Sequence, residues 1–115
     1  MASKFDVELF LKQLKQHLEI WQIVFINRPK NQLQTIADLE ITAQKREEII
    51  KNLTYKDYSE GPKPETQFTG GEMWIFGKKV KNQELYIKLT ISSKTDNVIC
   101  ISFHKAEHPM KYPLN

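Results

Sequence analysis

Two runs near the C-terminus, Leu85-Tyr-Ile-Lys-Leu-Thr-Ile91 and Ile99-Cys-Ile-Ser-Phe-His104, set Tyr86, Lys88, Ser102 and His104 at alternate positions among apolar residues. An imidazole titrates near neutrality and can serve as general acid or base. A phenol and an ammonium beside it can donate to, or electrostatically stabilise, an oxyanion or a phosphorane. Together they suit metal-free RNA cleavage, in which a base activates the ribose 2′-hydroxyl against its own phosphate and an acid protonates the departing 5′-oxygen. Glu107 and His108 follow the second run and stand at the edge of the same region. A plainer account stays open: His104 hydrogen-bonds in a strand-end turn, and a mixed polar face on a half-exposed sheet is ordinary.

The period of two predicts half-buried strands that position these groups. Leu85, Ile87, Leu89 and Ile91 form one apolar row. After the polar run 93–97, Ile99, Ile101 and Phe103 form a second, leaving Cys100, Ser102 and His104 on the opposite face. If both rows face one core, the strands pair as an antiparallel hairpin with even residues opposite even ones, because a one-residue slip would expose a whole row. Tyr86 then lies opposite His104 with Lys88 opposite Ser102, or one pair along, opposite Ser102.

Other chemistry has weaker support. His104 and His108 are four apart with Cys100 on the same expected face, but zinc usually takes four ligands and Pro109 disfavours a helix at His108. No metal and no cofactor are expected. Cys100 inside a strand reads as a small packing residue before a nucleophile. Trp74 can stack a base and Lys78 and Lys79 can hold phosphates, although aromatics at alternate strand positions more often belong to a core and a charged turn also blunts a sheet edge. Tyr58 and Ser59 join them as RNA-contact candidates at the start of an expected loop.

The elements that must carry this face follow from the rest of the chain. Ser3 or Asp6 can cap a first helix whose Val7, Phe10, Leu11, Leu14 and Leu18 recur at three- and four-residue spacing, with Lys4, Glu8, Lys12, Gln13 and Gln16 opposite. Trp21–Ile26 reads as a short strand, broken at 27–30. A short helix at about 31–39 precedes a second one capped by Thr42, with Ala43, Ile49, Ile50 and Leu53 inward and Lys45, Arg46, Glu47, Glu48 and Lys51 outward. Over 54–71 two prolines and three glycines predict a long loop. An aromatic strand over 72–79, a turn at 80–82 and the hairpin complete the order. The class is α+β, with helices on one face of a small antiparallel sheet.

At 115 residues the chain has room for one core and one domain. Its 40% hydrophobic content excludes a disordered polymer, and its +3 net charge is compatible with an acidic partner such as RNA. One cysteine excludes an internal disulfide, and no apolar run approaches the ~18 residues of a membrane span. With no signal peptide visible, a soluble, cytoplasmic protein without membrane attachment is expected.

Several stretches resemble a known family. Asp57-Tyr-Ser-Glu-Gly-Pro62, Met73-Trp-Ile-Phe-Gly-Lys78, Tyr86-Ile-Lys88 and above all Ile101-Ser-Phe-His-Lys-Ala-Glu-His-Pro109 resemble MqsR-like toxins of bacterial type II toxin–antitoxin modules. The likeness is best over the C-terminal half. It implies a RelE-type fold, endonucleolytic cleavage of mRNA (on the ribosome or free), and inhibition by a cognate antitoxin. The family's site tyrosine corresponds to Tyr86, and the basic residue closing its last strand to His104. The glutamine after the strand tryptophan is Ile75 here, and the loop lysine has no clear counterpart near Ser59 and Glu60. The expected catalytic set is therefore Tyr86, Lys88, His104, Glu107 and His108. A non-catalytic module binding protein or RNA through the same face and the 54–71 loop is the alternative.

Overall fold

Ser3 starts the first helix, α1 (Lys4–Ile20). Its hydroxyl accepts from the Asp6 N–H at 3.2 Å, and the Asp6 carboxylate accepts from the Ser3 N–H at 3.1 Å. This reciprocal pair satisfies backbone donors that a helix start otherwise leaves open. The buried face is Val7, Phe10, Leu11, Leu14 and Leu18, as the spacing predicts. The computed structural model describes residues 1–26, 31–67 and 71–115; the break expected at 27–30 lies outside them.

A two-residue strand, β1 (Val24–Phe25), is followed by α2 (Asn31–Leu39) and α3 (Ala43–Lys51). Thr42 caps α3, its hydroxyl accepting from the Lys45 N–H at 3.0 Å. Ile49, Ile50 and Leu53 are buried, but Ala43, expected inward, is exposed. Arg46, expected outward, instead lays its guanidinium over the Phe25 ring at 3.9 Å, a cation–π contact that also covers the first strand.

The rest of the chain is β2 (Tyr58–Glu65), β3 (Gly71–Val80), β4 (Gln83–Ile91) and β5 (Val98–Lys105). They form a five-stranded sheet in the order β1-β5-β4-β3-β2, with β1 parallel to β5 and the other neighbours antiparallel. The helices and the sheet thus make the expected α+β fold, with one parallel pair at its edge. Lys81 and Asn82 take the β3–β4 turn with φ of 50° and 65°, the left-handed pair that matches the twist of a two-residue hairpin.

Two expectations about the sheet are overturned. The segment expected as a loop over 54–71 is largely strand: a 3-10 turn (Tyr55–Asp57) leads directly into β2. Pro62 and Pro64 lack an N–H, yet β2 is an edge strand and needs partners on one side only. Its ladder with β3 shifts register twice, and Gly61 absorbs one bend at φ 118°. The second correction concerns β5. Lys88 pairs with Ser102 and Leu89 with Cys100, so Ile101 is an extra residue in a bulge. The alternation changes phase there. Phe103, Cys100 and Val98 all join the core cluster with Leu85, Ile87 and Leu89, and Cys100 does not share a face with His104.

Burial pushes the Cys100 thiol up to about 12, partly countered by nearby Arg46. The folded protein therefore holds a proton that the unfolded chain loses above about 9. The thiol's contribution to stability is intact below that pH and is lost as pH rises toward 12, at about 1.4 kcal/mol per pH unit. Cys100→Val should flatten the fall of the urea midpoint between pH 9 and 11, and an unchanged limb would show that the thiol does not set it. At pH 8 a disulfide reagent should label the native thiol orders of magnitude more slowly than the unfolded one.

Candidate active site

The rows Leu85, Ile87 and Leu89 must face the helices, which sends Tyr86 and Lys88 to the other side of the sheet. The register there is the first of the two expected: Tyr86 opposite His104 and Lys88 opposite Ser102. The two rings stack, centroids 5.1 Å apart and planes 12° from parallel. Lys88 Nζ stands 5.7 Å from the Tyr86 ring centroid. The His104 Nδ1 lies 2.8 Å from the Lys105 carbonyl oxygen. A carbonyl only accepts, so Nδ1 carries the proton of that bond, and in the neutral ring Nε2 remains the basic nitrogen.

These groups floor an open groove of about 1720 Å³, together with Ile75. One wall is β2, which contributes Ser59, Glu60, Pro62 and Lys63. Tyr58 supports that wall from below: fully buried, its hydroxyl accepts from the Ala2 N–H at 3.2 Å and donates to the Gly61 carbonyl at 2.5 Å. Gly61 itself is needed, because a Cβ there would lie 2.8 Å from the Met73 carbonyl oxygen. The other wall is the C-terminal tail, including Glu107, His108 and Lys111.

Charge in the groove is mixed. Glu60 and Lys63 pair at 2.7 Å, and this bond is the main reason that the Lys63 ammonium is held above its ordinary range. Burial, assisted by Glu60, raises the Tyr86 phenol, while Lys63 pulls it slightly back. Tyr86 is therefore a neutral hydroxyl near pH 7, suited to donate a proton or a hydrogen bond and not to accept one as phenolate.

The fold separates the remaining candidates. Glu107 and His108 line the groove and are exposed. Trp74 sits on the opposite face of the sheet, stacked on Phe10 of α1 at 4.7 Å, so it is not beside Tyr86. Lys78 and Lys79 lie beyond the groove lining; Lys78 approaches Asp57 at 3.5 Å and Lys79 pairs across the hairpin with Glu84. Cys100 is in the core, so the expected alignment of Cys100 below His104 is not formed. Among the described residues no three His, Cys, Asp or Glu side chains gather as a metal site. Sequence reasoning missed Lys63, Met110 and Lys111. The first stands on a strand disguised by its prolines, and the others belong to a tail without periodicity.

The family described as motility quorum-sensing regulator, toxin of MqsA, matches residues 8–105. The chain belongs to this toxin family. No curated protein and no solved structure gives a significant match. As an MqsR-family toxin, the protein belongs to a toxin–antitoxin system and has an antitoxin as its partner. No helix among the described residues is long and apolar enough to cross a membrane. Of the positions aligned by resemblance to the family, Tyr86, His104 and Ile75 meet in the groove. The segment without a clear counterpart to the loop lysine nevertheless delivers a cation there, Lys63 of β2.

Removing the Glu60 charge leaves both the burial of Tyr86 and the positive Lys63. Glu60→Gln should therefore lower the pKa of the Tyr86 phenol while keeping it above that of free tyrosine. Ultraviolet titration of wild type and variant, each against its Tyr86→Phe counterpart, reads the shift; a rise would contradict the placement of Glu60.

Proposed function

We propose that the toxin is a metal-free endoribonuclease acting on mRNA at the groove over β3, β4 and β5. The observation that carries this reading is the stacked Tyr86–His104 pair, with Nδ1 of His104 tied to a backbone carbonyl. The imidazole is thereby oriented with Nε2 as its basic atom, beside a phenol that remains protonated.

His104 takes the proton of the ribose 2′-hydroxyl as that oxygen attacks the adjacent phosphorus. Tyr86 donates toward the departing 5′-oxygen or holds the phosphate in line for the attack. Lys88 offsets the charge that accumulates on the non-bridging oxygens. The products are a 2′,3′-cyclic phosphate and a free 5′-hydroxyl, and no external nucleophile enters the first step. Glu107 and His108 stand at the edge, where either can relay a proton to solvent. Ser59 and Lys63 contact the RNA from one wall. Lys78 and Lys79 lie where only the flanks of a bound strand reach, and Trp74 serves the core. Antitoxin binding holds this activity in check.

Purified protein incubated with a long mRNA in EDTA should give discrete fragments ending in 2′,3′-cyclic phosphate. His104→Ala should slow the cleavage by about 10²–10⁴, the span of one acid–base group. A strict requirement for added Mg²⁺ would overturn the mechanism. Growth arrest that persists in folded His104→Ala and Tyr86→Phe variants would favour a non-catalytic binding module.

A further inference from the structure

The family match ends at Lys105, and the tail beyond it crosses the groove side of the sheet instead of leaving it. Three features hold it there. The Ala106 N–H donates to the Glu84 carbonyl at 2.8 Å, continuing the β4–β5 ladder by one bond. The Glu84 carboxylate then accepts twice from the tail: Oε1 from the Met110 N–H at 3.0 Å and Oε2 from the Tyr112 hydroxyl at 2.7 Å. Beneath, Gly77 leaves the bed in which the tail lies. A Cβ there would collide with the Tyr112 phenol and come within 2.9 Å of Met110 Sδ.

This attachment is specific to the tail's position and is not general stickiness. A carboxylate with both oxygens engaged fixes direction as well as contact, and charge-assisted bonds are the stronger kind. Burial and the bond to Glu84 both raise the Tyr112 phenol, so it stays a donor well above neutral pH. Pro109 and Pro113 on either side restrict the backbone, which lowers the entropy lost on fixing the segment. What the clamp presents to the groove is Glu107, His108 and Lys111, the last an exposed ammonium opposite the wall that carries Lys63.

We propose that residues 106–112 are a fixed second wall for single-stranded RNA, with Lys111 contacting a substrate phosphate and Glu84 as the positioning residue that holds the wall in place. The proposal rests on the groove being an RNA site, as in the function proposed above, but not on cleavage. Lys111 bears on the backbone of the strand, so its contribution is independent of base sequence and sensitive to salt. Glu84 acts only through the tail.

The test measures binding of a 2′-O-methyl oligoribonucleotide, which lacks the attacking hydroxyl and cannot be cut, by fluorescence anisotropy over a range of salt. Lys111→Ala should weaken binding severalfold and reduce the slope of log affinity against log salt by about 0.7, one phosphate contact on a single strand. Glu84→Ala should produce the same loss with Lys111 still present, and the double variant should lose no more than either. Glu84→Gln, which keeps one acceptor oxygen, should recover part of it. Limited trypsin treatment followed by mass spectrometry should find the bond after Lys111 cut faster in Glu84→Ala and Tyr112→Phe than in wild type. Gly77→Ala should free the tail with Glu84 untouched, so the proposal does not hang on one variant. Unchanged affinity and salt slope in Lys111→Ala and Glu84→Ala overturn it, as does a tail equally protected in all variants, or a wild type that binds no oligonucleotide. Cleavage of mRNA by wild type and its loss in His104→Ala report on the nuclease reading alone, so the two can fail separately.

Discussion

The bulge at Ile101 is the constraint on which the rest of the sheet depends. The β4 strand alternates regularly, with Leu85, Ile87 and Leu89 committed to the helix side. A regular partner would put Cys100 and Val98 opposite the face that Phe103 buries. One extra residue in β5 lets Phe103, Cys100 and Val98 all reach the core, while Ser102 and His104 keep the phase that sends them to the groove. The rest of the strand is buried too: Ile99 and Ile101 are 8% and 2% exposed yet lie outside the core cluster. The bulge thus reconciles an almost wholly apolar strand with two polar groups at one end.

From that register the site follows. Stacking Tyr86 on His104 is possible because they are direct cross-strand partners, where side chains on one face meet. Each partner is then held a second time, His104 by the Lys105 carbonyl and Tyr86 by its half-buried position beside Lys88. The opposite face of the same strands supplies rigidity. Phe10 stacks on Trp74 and lies 6.1 Å from Phe76, and Tyr58 meets both strand aromatics edge-on. Aromatic packing of this kind adds to area burial and resists small displacements of the strands that carry Tyr86 and His104.

Around that floor the two walls differ in how they are secured. The β2 wall is part of the sheet, bent at Gly61 and backed by the buried Tyr58 hydroxyl. Beyond the Ala106 bond, the tail wall is held by side chains, the Glu84 carboxylate above all, over the bed left at Gly77. The groove therefore has one side built by main-chain pairing and another by a side-chain clamp, and single substitutions reach the second far more easily than the first.

Much of the scaffold was legible in the residues themselves. The cap and buried stripe of α1 are local matters, set by Ser3, Asp6 and a spacing of three and four, so periodicity alone recovered them. The Tyr86–His104 pairing was among the registers allowed by two alternating rows, because a slip of one residue is forbidden by burial. The phase change at Ile101 was not legible, since Ile, Cys and Ile are all acceptable on either side of a covered strand. Nor was β2, where prolines and glycines that usually signal a loop are tolerated at an edge. The tail was decided by tertiary structure alone. Glu84 meets Met110 and Tyr112 across 26 and 28 residues, with no repeat or pattern to announce it. Short-range spacing determined which residues share a face of a helix or strand; only the folded chain decided which distant carboxylate, phenol and missing side chain would meet.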